Sequence, residues 1–497
     1  MEKVNHILVT SKDSIKYAMQ SMNVSIFQIA LVVDEHGKLE RTITDGDIRR
    51  FLLANGSLEN TVEDLPSNPD FVKPITVEND KSISEISSLM YFYGVQQIPV
   101  LDSDGRPIGL HLRKNIDTRI LLSTPHMGGD EQEYISQAFD TNWLAPLGPN
   151  VDSLEREISE YIGGSHVAVV NTGTSAIHLA LLLLDISRDD IVFCQSFTFV
   201  ASANPILYQG AIPVFIDSEP DTWNISPIAL RKALNYHKSL NTLPKAIIIV
   251  HLYGRCVNMN AVMEISNEFG VPVIEDAAES LGAFSQGKHS GTIGKLGIFS
   301  FNGNKIITTS GGGALVSDDE ELIKRARFLS TQSKEPAPHY EHREVGYNYR
   351  MSNVLAGIGR GQLKVLNNRV KQRREVQKKY KEGLDSIEAI EWMPETEGDY
   401  SNCWLSVFSI NPQKSQITPI MLISFLSDNG IEARLTWKPL HMQPLFSDYE
   451  YFSEEDGSFC SYIFSTGVCL PSSSNISVIN QKIVISKILQ FFKSKVL

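Results

Sequence analysis

Short apolar runs alternate with helical stretches through the middle of this chain, and that alternation limits the folds open to it. The runs fall at 167–170, 191–196, 213–217, 246–250 and 271–276, with stretches such as 227–236 and 260–269 carrying apolar residues at helical spacing between them. Strand–helix alternation argues for a mainly parallel sheet with helices on both faces. In such sheets the loops at the carboxyl ends of the strands form the binding crevice. Residues that follow a strand are therefore the first place to look for chemistry.

Two stretches stand out there. Val271-Pro272-Val273-Ile274-Glu275-Asp276 reads as a buried strand ending in two acids. Residues 297–300 read as another strand, followed by the turn Asn302-Gly303-Asn304, then Lys305, Thr308-Thr309-Ser310 and three glycines. The glycines permit conformations and close approaches that side chains resist. Lys305 thus sits on a tight connection with little bulk behind it. That suits an amine that forms an imine with a flat aldehyde cofactor and then swings away. A surface lysine in a glycine loop has the same local sequence. Asp276, 29 residues before Lys305, suits a second requirement of such a site. Pyridoxal phosphate is an electron sink only while its ring nitrogen stays protonated, and a neighbouring carboxylate keeps it so. Taken alone, an acid at a strand end is more often a cap or a solvated turn.

Glu275-Asp276-Ala277-Ala278-Glu279-Ser280-Leu281-Gly282, with the stretch from Phe299 to Gly313, resembles the nucleotide-sugar aminotransferases of the DegT/DnrJ/StrS family. The resemblance runs from about His126 to the C-terminus. Within the family it favours the bacillosamine-type enzymes, which aminate C4 of a UDP-linked 4-keto-6-deoxy-N-acetylhexosamine. It implies an α/β, fold-type-I, aspartate-aminotransferase-like architecture, pyridoxal 5'-phosphate as cofactor, L-glutamate as amino donor and a homodimer with shared active sites. Lys305 and Asp276 become the catalytic pair. Thr174, Ser175 and Ser300 would hold the cofactor phosphate, Phe199 would stack on its ring, and Glu279 would lie near its phenolic oxygen. The strand–turn–helix at Asn171-Thr172-Gly173-Thr174-Ser175 presents free N–H groups to an anion, although any capped helix reads alike. Asn348 would meet the cofactor phosphate of the other subunit. The apolar loop holding Trp143, Leu144, Ala145 and Pro146 would line the sugar-nucleotide pocket; a packing loop is the alternative. Arg434, Trp437 and Lys438 interleave charge and aromatic surface on a proline-stiffened loop, which suits a nucleoside diphosphate. Leu435 departs from the family's proline at that position.

The first 120 residues carry a repeat at an offset of 68: Ser14-Ile15 with Ser82-Ile83, Asp34 with Asp102, Gly37 with Gly105, Ile48 with Ile116. Each copy reads as helix, strand, acidic turn, strand and helix start. The pattern resembles a tandem CBS pair. Thr44 and Asp47 match the ribose-binding positions of that family, which implies an adenine nucleotide; a helix N-cap is the competing reading. The second copy has Leu112 and Asn115 instead. Residues 117–125 read as a link, with Pro125 marking a break. The expected divisions are 1–120 (CBS pair), 126–385 (large cofactor-binding domain) and 386–497 (small α/β domain).

Charge narrows the partners. The net charge of −13 argues against nucleic acid or an anionic membrane as a general partner. The helix predicted at 353–384 carries Arg369, Lys371, Arg373, Arg374, Lys378, Lys379 and Lys381, which reads as a solvated face. Five scattered cysteines show no metal spacing, so no metal is expected and reduced thiols are. No apolar run approaches the ~20 residues that span a bilayer, no signal-peptide pattern opens the chain, and a cytoplasmic protein is expected. Three readings compete with the main one. A GDP-linked sugar is one. A related dehydratase is another, but that class has histidine where Lys305 stands. The third is a nucleotide-sensing CBS protein with an inactive aminotransferase domain.

Overall fold

The structure, a computed structural model, describes residues 2–25, 27–66, 74–81, 86, 89–90, 93–113, 119–454 and 457–495. Ser82, Ile83, Asn115 and Ile116 of the repeat lie outside the described residues. The chain divides into two compact units, Met1–Arg119 and Ile120–Leu497.

The first unit holds two three-stranded sheets of the same design. In one, Leu8–Val9 runs parallel to Ile29–Val33, which pairs antiparallel with Leu39–Thr44. In the other, Val77–Glu78, Gln97–Leu101 and Pro107–Leu112 repeat that order and those directions. The ladder slips between Val32 and Val33 in the first sheet and between Val100 and Leu101 in the second, again 68 residues apart (100 − 32). The turns match too. Asp34 Oδ1 accepts the N–H groups of His36 and Lys38, as Asp102 Oδ1 accepts those of Asp104 and Arg106. Thr44 caps the helix Asp45–Leu53: its hydroxyl accepts the Asp47 N–H, and the Asp47 carboxylate accepts the Thr44 N–H at 2.8 Å. The capping geometry is thus present, a reciprocal box that satisfies two otherwise orphaned donors.

The second unit is built on an eight-stranded sheet in the order Tyr451–Phe452, Ile212–Ile216, Ile191–Gln195, Ala246–Val250, Val273–Asp276, Leu296–Ser300, Gly313–Ser317, His166–Val170. All run in one direction except Gly313–Ser317. The central strands are buried on both faces, hence their continuous apolar runs. Helix Gly173–Leu183 packs among one set of core residues, and helix Pro149–Tyr161 with the 32-residue helix Asn353–Leu384 among another.

Three features depart from the sequence reading. Tyr451–Phe452, from the C-terminal region, adds an edge strand to the large sheet beside Ile212–Ile216. The basic run on Asn353–Leu384 is not one solvated face: Arg369 and Arg373 are buried while Lys371 and Lys378 are exposed. Helical periodicity puts Leu366, Arg369, Arg373, Val376 and Tyr380 on the inward stripe, whatever their charge. The expected link also packs into the second unit, as Ile120 and Thr124 show. Ile120 bridges Ile431 in parallel, and the Thr124 N–H donates to Ser473 Oγ at 2.8 Å.

Candidate active site

The strand Val273–Asp276 delivers its last carboxylate to the carboxyl edge of the sheet, flanked by Ala246–Val250 and Leu296–Ser300. Asp276 is 5% exposed. Its Oδ2 accepts the Ser202 hydroxyl at 2.7 Å, and its Oδ1 accepts the Ala278 N–H at 3.1 Å. The Ser202 hydroxyl is joined in turn to Thr198 at 2.9 Å. The carboxylate is therefore fixed in place by two donors.

Along the same edge, helix Gly173–Leu183 begins behind Thr172, whose hydroxyl accepts the Ser175 N–H at 3.0 Å. A Cβ added to Gly173 would lie 3.1 Å from the Ser300 Cβ, so the helix start and the strand end close on each other at backbone distance. Gly173, Thr174 and Ser300 face a common cavity of about 370 Å³. Ser175 does not line it; its hydroxyl donates to Asn171 Oδ1 at 2.6 Å and completes the cap.

Lys305 projects into this cavity from the turn after Ser300, where its N–H closes onto the Asn302 carbonyl at 3.0 Å. Its Nζ lies 3.5 Å from Glu279 Oε1 and 4.4 Å from the centroid of the Trp404 ring. Burial lifts the Glu279 carboxyl above its ordinary range, against the opposing pull of Lys305 and the Tyr253 N–H. An acid raised in the folded state favours folding at low pH, and that contribution is lost as pH rises through the folded pKa. Glu279→Gln is therefore expected to gain melting temperature relative to the parent as pH rises from acid toward neutral. Parallel melting curves across that range would show that burial does not dominate at this carboxyl.

Aromatic rings wall the remaining side. Trp404, Tyr253 and Trp437 form a near-parallel series, with centroids 6.3 and 6.2 Å apart, and Phe199 lies 5.4 Å from Trp437. The backbone N–H of Trp437 donates to the Tyr253 hydroxyl at 2.8 Å. Arg434 lines the mouth, its guanidinium on Glu432 Oε1.

The fold thus brings Thr174, Phe199, Asp276, Glu279, Ser300, Lys305, Arg434 and Trp437 around one cavity. Other expected residues lie elsewhere in the single chain. Asn348 uses its carbonyl to accept Asn171 Nδ2 at 3.2 Å. Trp143, Leu144, Ala145 and Pro146 are exposed, and Asn353 holds the Trp143 and Ala145 carbonyls at 2.8 and 3.0 Å. Lys438 is outside the lining. Sequence reading missed Thr172, Thr198, Ser202, Asn302, Asn304 and Trp404 as lining residues. Ser202 and Thr198 sit in the loop already singled out for Phe199; nothing local to Trp404 marks it.

Pyridoxal 5'-phosphate requires an anion cradle, an acid for its ring nitrogen, a flat wall and an amine. The helix start with Ser300, then Asp276, Phe199 and Lys305, all around the cavity, are of the chemistry to supply these in turn. Gly173 lies close enough to Ser300 that an added Cβ would be tightly packed there, at 3.1 Å from the Ser300 Cβ.

Known proteins agree. A family model described as DegT/DnrJ/EryC1/StrS aminotransferase family matches residues 125–489, and one for the CBS domain matches residues 62–110. EpsN of Bacillus subtilis (strain 168), named as a candidate pyridoxal phosphate-dependent aminotransferase, is 54% identical over 75% of this chain and 96% of its own length. A GDP-perosamine synthase of Caulobacter vibrioides is 33% identical over 72% of this chain and 94% of its own. The crystal structure of a DegT DnrJ EryC1 StrS aminotransferase from Brucella abortus superposes with a TM-score of 0.67 at 28% identity, covering 73% of this chain and 95% of that one. With Ser300, Asp276 and Lys305 gathered around one cavity, the chain belongs to the DegT/DnrJ/EryC1/StrS family of pyridoxal phosphate-dependent sugar aminotransferases and carries a CBS domain before it.

Proposed function

We propose that the enzyme transfers an amino group from L-glutamate to C4 of a UDP-linked 4-keto-6-deoxy-N-acetylhexosamine, giving a UDP-4-amino sugar. The placement of Lys305 Nζ and the Asp276 carboxylate on one cavity, beside a phosphate cradle, carries the reading. Bound pyridoxal phosphate supplies the electron sink that makes the donor Cα proton removable. Lys305 Nζ takes that proton in the donor half-reaction and delivers one to the sugar C4 in the other. Asp276 would face the ring nitrogen and keep it protonated, its carboxylate positioned by the Ser202 hydroxyl and the Ala278 N–H. Thr174, Ser300 and the helix start would hold the phosphate, with Ser175 stiffening the cap, and Phe199 would supply the flat wall for the ring. Buried Glu279 sits beside Lys305 and sets the charge near the amine. Arg434 meets the substrate diphosphate and Trp437 its base or sugar, with Lys438 next to them in the same loop.

Asn348 and the exposed loop 143–146 serve the site of a second subunit in a homodimer; that neither lines the cavity of its own chain favours this. Thr44 and Asp47 bind an adenine nucleotide at the CBS pair in this reading, and the enzyme works in the cytoplasm. The relatives named GDP-perosamine synthase favour a second reading, a GDP-linked 4-keto sugar. Purified protein, glutamate and each 4-keto sugar in turn decide between them. UDP-sugar amination with matched release of 2-oxoglutarate is expected; amination of the GDP sugar alone would replace the first reading with the second.

A further inference from the structure

Arg373 is fully buried in the middle of a long basic helix. Burial pushes the guanidinium down to about 9. A cation removed from water is costly, and two of its three nitrogens, though not Nε, find acceptors. One Nη donates to the Trp404 carbonyl, and the other donates to Ser123 Oγ at 3.0 Å.

Both acceptors lead to one peptide. Ser123 Oγ donates to the Asn304 carbonyl at 2.8 Å, and the Trp404 indole N–H donates to the same oxygen at 2.7 Å. Asn304 immediately precedes Lys305, whose amine rests over the Trp404 ring. Ser123 is itself pinned on both sides. Leu122 N–H donates to Glu432 Oε2 at 2.9 Å, and Thr124 N–H to Ser473 Oγ at 2.8 Å. Glu432 also holds Arg434 at the cavity mouth. A segment fastened this way holds the loop bearing Lys305 to a single position.

We propose that Ser123, anchored by Arg373, is a positioning residue for Lys305. Its hydroxyl fixes the Asn304–Lys305 peptide and so sets where the amine rests relative to Asp276 and Trp404. Ser123 lies before the span matched to the family, 125–489, in the stretch that carries the chain on from the first unit. The inference rests on the reading of Lys305 as proton carrier.

The test uses the full-length holoenzyme with Ser123→Ala and Ser123→Thr, and Lys305→Ala as control. Ser123→Ala is expected to keep its cofactor absorbance and melting temperature while kcat falls about tenfold, the scale of a small misplacement of a catalytic group. KM for the sugar should stay put. The half-reactions with donor alone and with keto sugar alone should slow by the same factor, because Lys305 acts in both. Ser123→Thr, which keeps the hydroxyl, should restore the rate. Parental kcat in Ser123→Ala would overturn the inference, as would slowing confined to the sugar half-reaction or a Thr variant as impaired as the Ala one. An active Lys305→Ala would remove the reading beneath it. An inert Lys305→Ala beside a fully active Ser123→Ala would remove the role of Ser123 alone.

Discussion

Lys305→Ala is expected to fold normally and to lose turnover by about 10⁴-fold or more, the range of an amine that acts both as nucleophile and as proton carrier. The side chain is mostly buried but makes few contacts: Glu279 Oε1 at 3.5 Å and the Trp404 ring. Its removal leaves the Glu279 carboxyl buried without its cation, so that group shifts further toward its neutral form rather than unfolding the site. Melting temperature and far-ultraviolet dichroism should stay near the parental values. Bound cofactor should become removable by dialysis, with loss of the visible absorbance it shows when joined to the lysine. Turnover within tenfold of the parent would end the mechanism proposed for this cavity.

Asp276→Asn should have the next largest effect. The amide has the shape of the carboxylate and retains a carbonyl to accept the Ser202 hydroxyl or the Ala278 N–H, so the fold should survive. What it lacks is charge. A hydrogen bond to a charged partner contributes roughly 1.5–3 kcal/mol, so cofactor affinity should fall by about 10- to 100-fold by that conversion. The catalytic loss should exceed it, because a ring nitrogen that is no longer held protonated makes a poor electron sink. A decrease in kcat of about 10²-fold or more is expected with the cofactor kept saturating, on the scale of a lost preorganised charge. If saturating cofactor restores the full rate, Asp276 serves binding only.

Much of this was readable before any coordinates. The strand ending in Asp276 shows as a continuous apolar run because both faces of its sheet are covered. The helix Asn353–Leu384 and the turn residues of the N-terminal repeat are likewise set by local spacing. The basic run was misread because charge was weighed above period. Arg373 falls on the same stripe as Leu366, Val376 and Tyr380, and that stripe faces inward. Trp404 could not be read at all: it meets Asn304 across 100 residues, and nothing beside it in the chain differs from an ordinary core tryptophan.

The amino-acid order alone determined the parallel-rich α/β architecture and the repeat before it, and singled out Lys305 and Asp276 as the candidate lysine and acid. Each of these depends on periodicity or on a motif only a few residues long. Tertiary structure decided which side chains surround the lysine, that Ser202 rather than solvent holds Asp276, and that a stretch resembling a tether is built into the second unit. Those outcomes come from contacts between distant segments, whose closure leaves no signature in neighbouring residues.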